Sequence, residues 1–213
     1  MFDPTACLSP PLLTADLPGT GGQIKLEPAD FVVEELPLYA PSGQGEHVYL
    51  VIRRENRTTR DIEQGLARLF SLPEVDIGVA GLKDKRARAT QTFSLRSSKL
   101  DADEAAQRVT AELGLEVLTA TRHQNKLRLG HLLGNRFTIR VSGVVEDAAE
   151  RAQRVLDKLR TTGFANYFGP QRFGMGANNV LGGLECLAGR GPRQPWLRRL
   201  MASSVQSWLF IVW

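Results

Sequence analysis

The 213-residue sequence has few of the residues that bind metals or form disulfides. Its two cysteines, Cys7 and Cys186, are far apart, no Cys-x-x-Cys pair occurs, and the three histidines are scattered. Disulfide frameworks and zinc sites both need such residues in regularly spaced sets. We therefore expect neither a disulfide nor a metal, and we expect the protein in a reducing compartment, the cytoplasm.

Long apolar runs are also missing. No stretch approaches the about 18 apolar residues of a membrane span, and the N-terminus lacks the basic and apolar regions of a signal peptide. The glycine-rich run 19–22 has no strand before it and no helix after it, so it does not match a phosphate-binding loop. We expect a globular monomer with no membrane partner.

The charge that is present is moderately basic. Lys and Arg number 27 against 23 Asp and Glu, which gives a formal charge of +4 and a sequence pI near 9.3. A basic protein of this kind is compatible with a nucleic-acid partner when the positive charge is clustered. Placement of the basic residues therefore matters more than their total.

Hydrophobic periodicity predicts an α/β (α+β) fold with a mixed, largely antiparallel sheet and flanking helices. The predicted strands are residues 23–27, 31–35, 47–53, 75–79 and 91–95, and the predicted helices are a segment capped by Thr58 and Asp61, residues 101–113 and residues 146–160. The last helix is expected to pack through Ala149, Ala152, Val155, Leu156 and Leu159. Residues 1–22 are expected to be an irregular lead-in.

Residues 122–141 have the pattern of a β-hairpin, with two alternating runs around the loop 130–134. In the first run Lys126 and Arg128 would share one face, and such a basic face suits a phosphate backbone. In the second run Asn135 and Phe137 would share a face. On periodicity alone Phe137 is a core residue.

One carboxylate, Asp84, lies in a connection between two predicted strands. Its neighbours include Lys83, Lys85, Arg86 and Arg88, which would favour the ionised carboxylate and attract a polyanion. Rigid strands often present reactive side chains from such loops. The local pattern alone nevertheless favours a solvated turn of mixed charge.

Four ordered blocks change this interpretation. They are I-K-L-E-P-A-D-F-V-V-E-E at 24–35, A-G-L-K-D-K at 80–85 followed by Thr90-Gln91, R-H-Q-N-K-L-R-L-G-H-L-L-G-N-R-F-T at 122–138, and N-Y-F-G-P-Q-R-F-G at 166–174. Together they resemble the TruD family of tRNA pseudouridine synthases.

The resemblance implies conversion of uridine to pseudouridine in tRNA, at position 13, with no metal or redox cofactor. Asp84 would be the catalytic carboxylate and Lys25 the lysine beside it. Phe137 would stack on the base, and the Asn135 amide would hydrogen-bond the base edge or orient Asp84. The expected RNA-binding residues are Lys83, Lys85, Arg86, Lys126, Arg128 and Arg172.

The resemblance also implies a domain division and an incomplete domain. Residues 1–162 would form most of the catalytic domain, and residues 163–213 would begin the insertion domain of the family. Members of the family continue beyond the position of Trp213, and Ile211 stands where the family pattern has Asn. The alternative function is therefore a truncated, inactive fragment that binds tRNA.

Overall fold

The computed structural model describes residues 3–212 of the chain. The strands are β1 Gly21–Gln23, β2 Phe31–Pro37, β3 His47–Glu55, β4 Ile77–Val79, β5 Arg88–Arg96, β6 Glu116–His123, β7 Leu132–Ile139 and β8 Ser142–Val144. The helices are α1 Thr59–Phe70, α2 Ala102–Leu113, α3 Ala148–Thr162, α4 Asn178–Leu187 and α5 Pro195–Val212. Within this described part, no helix is both long and apolar enough to cross a membrane.

A six-stranded mixed sheet forms the centre of residues 21–145. Its strand order is β6-β3-β5-β2-β7, and β4 pairs with β5. Only the β2–β5 pair is parallel, and the other pairs are antiparallel. The predicted mixed, largely antiparallel α/β architecture is confirmed.

One face of this sheet carries the main hydrophobic core. Val48, Leu50 and Ile52 alternate along β3 and pack with Phe93 and Leu95 of β5. Helices α1 and α2 cover them, and both begin at predicted caps. Thr58 accepts a hydrogen bond from the backbone of Asp61 at the start of α1, and Asp101 caps α2.

The predicted hairpin of residues 122–141 is wrong. β6 and β7 lie at opposite edges of the sheet, where β6 pairs with β3 and β7 with β2. β6 ends at His123, so Lys126 and Arg128 lie in an irregular loop and do not form one face of a strand. Alternation identifies a strand and its buried face, but it does not identify the strand's partner.

Residues 3–20 form a second compact unit with residues 146–212. Its core contains Cys7, Phe173, Val180 and Val205, so the irregular lead-in contributes a buried cysteine. The contact boundary near Val145 differs from the predicted domain boundary at 162, and the assignment of residues 146–162 to the catalytic domain remains a prediction.

One prediction for this second unit needs correction. No residue of α3 is buried, and Leu156 is half-exposed, so the predicted stripe on α3 has no packed core within the described part of the chain. In the apolar run from Trp208, Trp208 and Ile211 pack against the core while Leu209 and Phe210 are exposed. Trp213, the last residue of that run, lies outside the described residues.

Candidate active site

Asp84 lies in the irregular loop 80–87 that joins β4 to β5, as the sequence predicts. The loop is attached to its surroundings by both backbone and side-chain hydrogen bonds. The Ala80 carbonyl accepts a hydrogen bond of 2.8 Å from the Gly130 amide, and the Arg86 guanidinium donates to the Leu26 carbonyl at 2.8 Å. Two rigid strands thus present a short loop whose middle carries the carboxylate.

Lys25 meets Asp84 across 59 residues of sequence. Its Nζ lies 2.5 Å from Asp84 Oδ2 and 3.8 Å from the centre of the Phe31 ring. Lys25 adopts a left-handed backbone conformation, with φ of 60°, which is uncommon for residues other than glycine. This backbone conformation and the two contacts determine where the ammonium lies.

The ion pair between Lys25 and Asp84 is open to solvent. The side chains are 29% and 48% exposed. Solvent-exposed pairs typically contribute about 0 to 1 kcal/mol to stability. The pair therefore adds little to folding, and its main consequence is a carboxylate that is both accessible and partnered by a cation.

Phe137 and Asn135 lie on β7, which pairs with β2. Val33 is opposite Phe137 and Glu35 is opposite Asn135 in the register. The Phe137 ring lies 5.8 Å from the Phe31 ring, which itself carries the Lys25 ammonium on its face. Phe137 is 54% exposed, so it is not a core residue in this structure. A chain of contacts thus runs from Asp84 through Lys25 and Phe31 to Phe137.

Asn135 is exposed and lies two residues from Phe137, on the same face of β7. An amide there has both donors and acceptors available, and an exposed aromatic ring offers a flat surface for stacking. The arrangement as a whole presents a carboxylate, an ammonium, an amide and an aromatic ring along one side of the sheet. Such groups can bind and act on a heterocyclic base attached to a sugar.

The prediction that Lys83 binds RNA is wrong. Its Nζ donates to Glu35 Oε2 at 2.6 Å, and both side chains are only 3% exposed. The other Glu35 oxygen accepts from the Thr92 amide at 3.1 Å. A buried ammonium whose charge is compensated in this way cannot reach a phosphate, so Lys83 attaches the loop to β2.

The other predicted RNA-binding residues of this unit differ in accessibility. Lys85 and Arg128 are exposed. Arg86 is exposed although it donates to Leu26, whereas Lys126 is half-buried and donates to the Val75 carbonyl. Exposed cations near the loop remain able to contact phosphate, and their role in RNA binding stays a prediction.

Arg172 lies in the other compact unit. Its guanidinium donates to Ser207 Oγ at 3.0 Å and to the Ser203 carbonyl at 3.2 Å, and it lies 5.6 Å from the Phe168 ring. These contacts attach residues 170–172 to α5. The structure thus gives Arg172 an internal packing role, and its contact with RNA remains a prediction.

Sequence reasoning missed the polar residues beneath the loop. Arg54 continues the alternation of Leu50 and Ile52 on the buried face of β3, and Gln91 is in phase with Phe93 on β5. A polar residue in phase with a buried apolar series must find an internal partner. That signal was available in the sequence, whereas nothing in the pattern around Glu35 indicated its partner.

Metal-binding side chains do not cluster in the described range. Among residues 3–212, no group of three or more His, Cys, Asp or Glu residues could hold a metal ion.

Comparison with known proteins identifies the family. A family model described as tRNA pseudouridine synthase D (TruD) matches residues 9–189. The chain is 47% identical over 204 residues to tRNA pseudouridine synthase D of Thermus thermophilus, which covers 95% of this chain and 56% of that protein. It is 51% identical over 178 residues to the Geobacter metallireducens protein of the same name, covering 83% and 43% of the two chains.

A solved structure also matches. The chain resembles a tRNA pseudouridine synthase D (TruD) structure from Methanosarcina mazei with a TM-score of 0.72 and 25% identity, covering 94% of this chain and 51% of that one. The chain thus spans about half the length of the relatives that it matches. The family model covers most of the chain, and the chain belongs to the TruD family of tRNA pseudouridine synthases.

Proposed function

We propose that the chain converts uridine to pseudouridine in tRNA, at position 13, with Asp84 as the catalytic carboxylate. The observation that carries this proposal is the accessible Lys25–Asp84 pair at 2.5 Å, in which Asp84 lies on a loop held between two strands. The names of its relatives support the same activity, because they are called tRNA pseudouridine synthase D. The finer assignments to Asp84 and to position 13 rest on the family resemblance.

The reaction is an isomerisation that needs no external electrons. The bond between N1 of uracil and C1′ of ribose breaks, the base turns, and a bond forms between C5 and C1′. The proton leaves C5 and N1 ends protonated, so the product has the atoms of the substrate. Asp84 acts at the ribose, either by attacking C1′ or by removing the 2′ proton, and both routes need the ionised carboxylate.

Lys25 and the aromatic ring have separate parts in this proposal. The ammonium of Lys25 lies 2.5 Å from Asp84 Oδ2 and compensates the negative charge of that carboxylate. The half-exposed ring of Phe137 stacks on the uracil after the nucleotide leaves its helical stack, and the Asn135 amide hydrogen-bonds the base edge. Unstacking costs a few kcal/mol, and such a stacking contact offsets part of that cost.

The partner in this proposal is tRNA, bound as a phosphate backbone by exposed cations. Lys85, Arg86 and Arg128 are exposed in the unit that carries Asp84. Phosphate contacts of this type attract RNA without reading its sequence, and they weaken steeply as salt rises. The choice of uridine therefore depends on the base site and on the shape of the RNA.

The experiment that tests this function uses the 213-residue chain with a tRNA transcript and maps pseudouridine by chemical modification. We expect product at position 13 and none in a transcript with cytidine at that position. Product at another uridine would refute the position and keep the activity. Binding of tRNA without any product would support the alternative, an inactive fragment that binds RNA.

A further inference from the structure

The hydroxyl of Thr59, the first residue of α1, has three hydrogen-bond partners and is buried. It donates to Gln91 Oε1 at 3.0 Å, and it accepts from the Lys83 amide at 3.2 Å and from Arg54 Nη2 at 3.1 Å. A hydroxyl has one donor and two acceptor positions. All three are used, so this side chain is a fully satisfied junction between α1, β3, β5 and the loop.

Arg54 adds two contacts to the same loop. Its Nη2 donates to the Lys83 carbonyl at 3.3 Å, and its Nη1 lies 3.5 Å from the Asp84 carbonyl. The same Nη1 donates to the Arg57 carbonyl just before α1. Arg54 is only 2% exposed, and burial lowers its pKa while the charges of Asp61 and Asp84 act in the opposite direction. A guanidinium that is desolvated to this extent is stabilised by the carbonyl groups around it.

Gln91 is the third buried side chain that contacts the backbone of this loop. It accepts from Thr59 through Oε1 and donates through Nε2 to the Gly81 carbonyl at 2.6 Å. The side chains of Thr59, Arg54 and Gln91 therefore contact the backbone of the loop at Gly81, at Lys83 and at Asp84. Three of the four residues 81–84 are contacted in this way, and the last of them carries the proposed catalytic carboxylate.

We propose that the Thr59 hydroxyl, together with Arg54 and Gln91, forms a clamp on the backbone of residues 81–84 that positions the Asp84 carboxylate for reaction. The inference rests on the proposed function for its catalytic meaning, but the clamp itself is a property of the fold. Thr59, Arg54 and Gln91 are positioning residues, because they act through the loop and are buried beneath it. The Lys83–Glu35 pair anchors the same loop from β2.

The physical reason for a clamp lies in the exposure of Asp84. Its side chain is 48% exposed, so little packing restrains it. A carboxylate that acts at a sugar carbon must be held within a fraction of an ångström, and misplacement by about 1 Å can cost on the order of 100-fold in rate. Hydrogen bonds to the amide and to the carbonyl of Lys83, the residue before Asp84, restrain the backbone in this way without burying the carboxylate.

The decisive variant is Thr59→Val, which keeps the branched shape and removes the hydroxyl, and it is compared with Thr59→Ser, which keeps the hydroxyl. The first measurement is amide hydrogen exchange of peptides covering residues 80–87, which needs no activity. We expect Thr59→Val to exchange about fivefold faster or more in these peptides. Thr59→Ser should exchange like the unchanged chain.

The second measurement is the single-turnover rate of pseudouridine formation beside the Kd for tRNA, below the melting temperature of every variant. We expect Thr59→Val to lower the rate by on the order of tenfold and to leave the Kd within about twofold. Thr59→Ser should restore the rate. Thr110→Val is the matched control, because the Thr110 hydroxyl donates only within α2, to the Ala106 carbonyl.

The outcomes separate the clamp from the proposed function. Exchange in Thr59→Val equal to that of the unchanged chain, or equally fast exchange in Thr59→Ser, would overturn the clamp. A loss that falls on the Kd with an unchanged rate would also overturn it. If the unchanged chain forms no pseudouridine, the proposed function fails for this chain, while the exchange result still decides whether the clamp exists.

Discussion

Lys83 and Lys85 flank the same aspartate but lie in different environments. Lys83 is 3% exposed and paired with Glu35, whereas Lys85 is exposed to solvent. The two lysines are identical in type and distance from Asp84, so the local sequence cannot distinguish them. The difference comes from Glu35, which lies 48 residues before Lys83 in the sequence and pairs with that lysine.

Replacement of Lys83 by Met tests the buried pair. The change leaves Glu35 buried without its cation, and loss of one partner from such a pair typically costs about 3 to 5 kcal/mol. We expect that loss in the free energy of unfolding, measured by urea denaturation. The double variant Glu35→Leu with Lys83→Met removes both charges and should recover most of the stability. A single variant as stable as the unchanged chain would contradict the burial of this pair.

Replacement of Lys25 by Met tests the exposed pair. Because both partners are largely solvated, we expect a change in stability of less than about 1 kcal/mol. The loss should fall on turnover, by on the order of 100-fold, because the carboxylate loses its compensating charge. Stability is measured by urea denaturation and turnover by pseudouridine formation, with Lys99→Met, an exposed lysine on another loop, as the matched control. Equal turnover in the Lys25 and Lys99 variants would contradict the role of Lys25.

At the level of helices and strands, the sequence predicted the type of each segment better than it predicted which strands pair. Both helix caps, the alternation of β3 and β5, and the loop position of Asp84 follow from local rules. The partners of β6 and β7 do not, because the order of strands depends on contacts between distant segments. The same limit explains why the partners of Glu35 and Arg54 were not predicted. These partners are distant in sequence or lie in the loop that carries Asp84.

The first residue of β3 gives a prediction about pH. His47 is buried, and burial is the main reason that its pKa is lowered; Glu46 opposes the shift and Arg96 adds to it. As pH falls, the unfolded chain therefore binds a proton at this histidine before the folded chain does. The contribution of His47 to the free energy of unfolding is complete above about pH 6.5 and declines below it. We expect the free energy of unfolding to fall between about pH 7.5 and about pH 5.5, and to fall less in His47→Gln.

The measurement is urea denaturation at both pH values. His131→Gln is the comparison variant, because it removes a different histidine and keeps His47. A His47→Gln slope equal to that of the unchanged chain would show that this histidine is not the group responsible.

At the scale of the whole molecule, each of the two compact units has a hydrophobic core of its own. One lies between the sheet and α1 with α2, and the other joins the residues around Cys7 to α4 and α5. All three tryptophans, at positions 196, 208 and 213, belong to the part of the chain that follows Glu146. Tryptophan fluorescence therefore reports on the unit that contains the second core.

Replacement of Phe173 by Ala tests that second core. Phe173 is fully buried, and truncation of a buried phenylalanine typically costs about 3 to 5 kcal/mol. We expect a loss of this size in the transition followed by tryptophan fluorescence. Phe164→Ala is the matched control, because Phe164 is exposed and its truncation should change stability by less than about 0.5 kcal/mol. Equal effects of the two substitutions would contradict the assignment of this core.

The family assignment applies to a chain that spans 56% of its Thermus relative, and the accessible Lys25–Asp84 pair lies within that shared part. Catalysis by Asp84 is tested by the single-turnover rate of Asp84→Asn with tRNA, measured beside its Kd. The amide keeps the shape of the side chain but serves neither as a nucleophile nor as a base. We predict a rate lower by at least about 1000-fold with a Kd within a few fold of the unchanged chain. Turnover by Asp84→Asn at the rate of the unchanged chain would show that Asp84 is not the catalytic carboxylate.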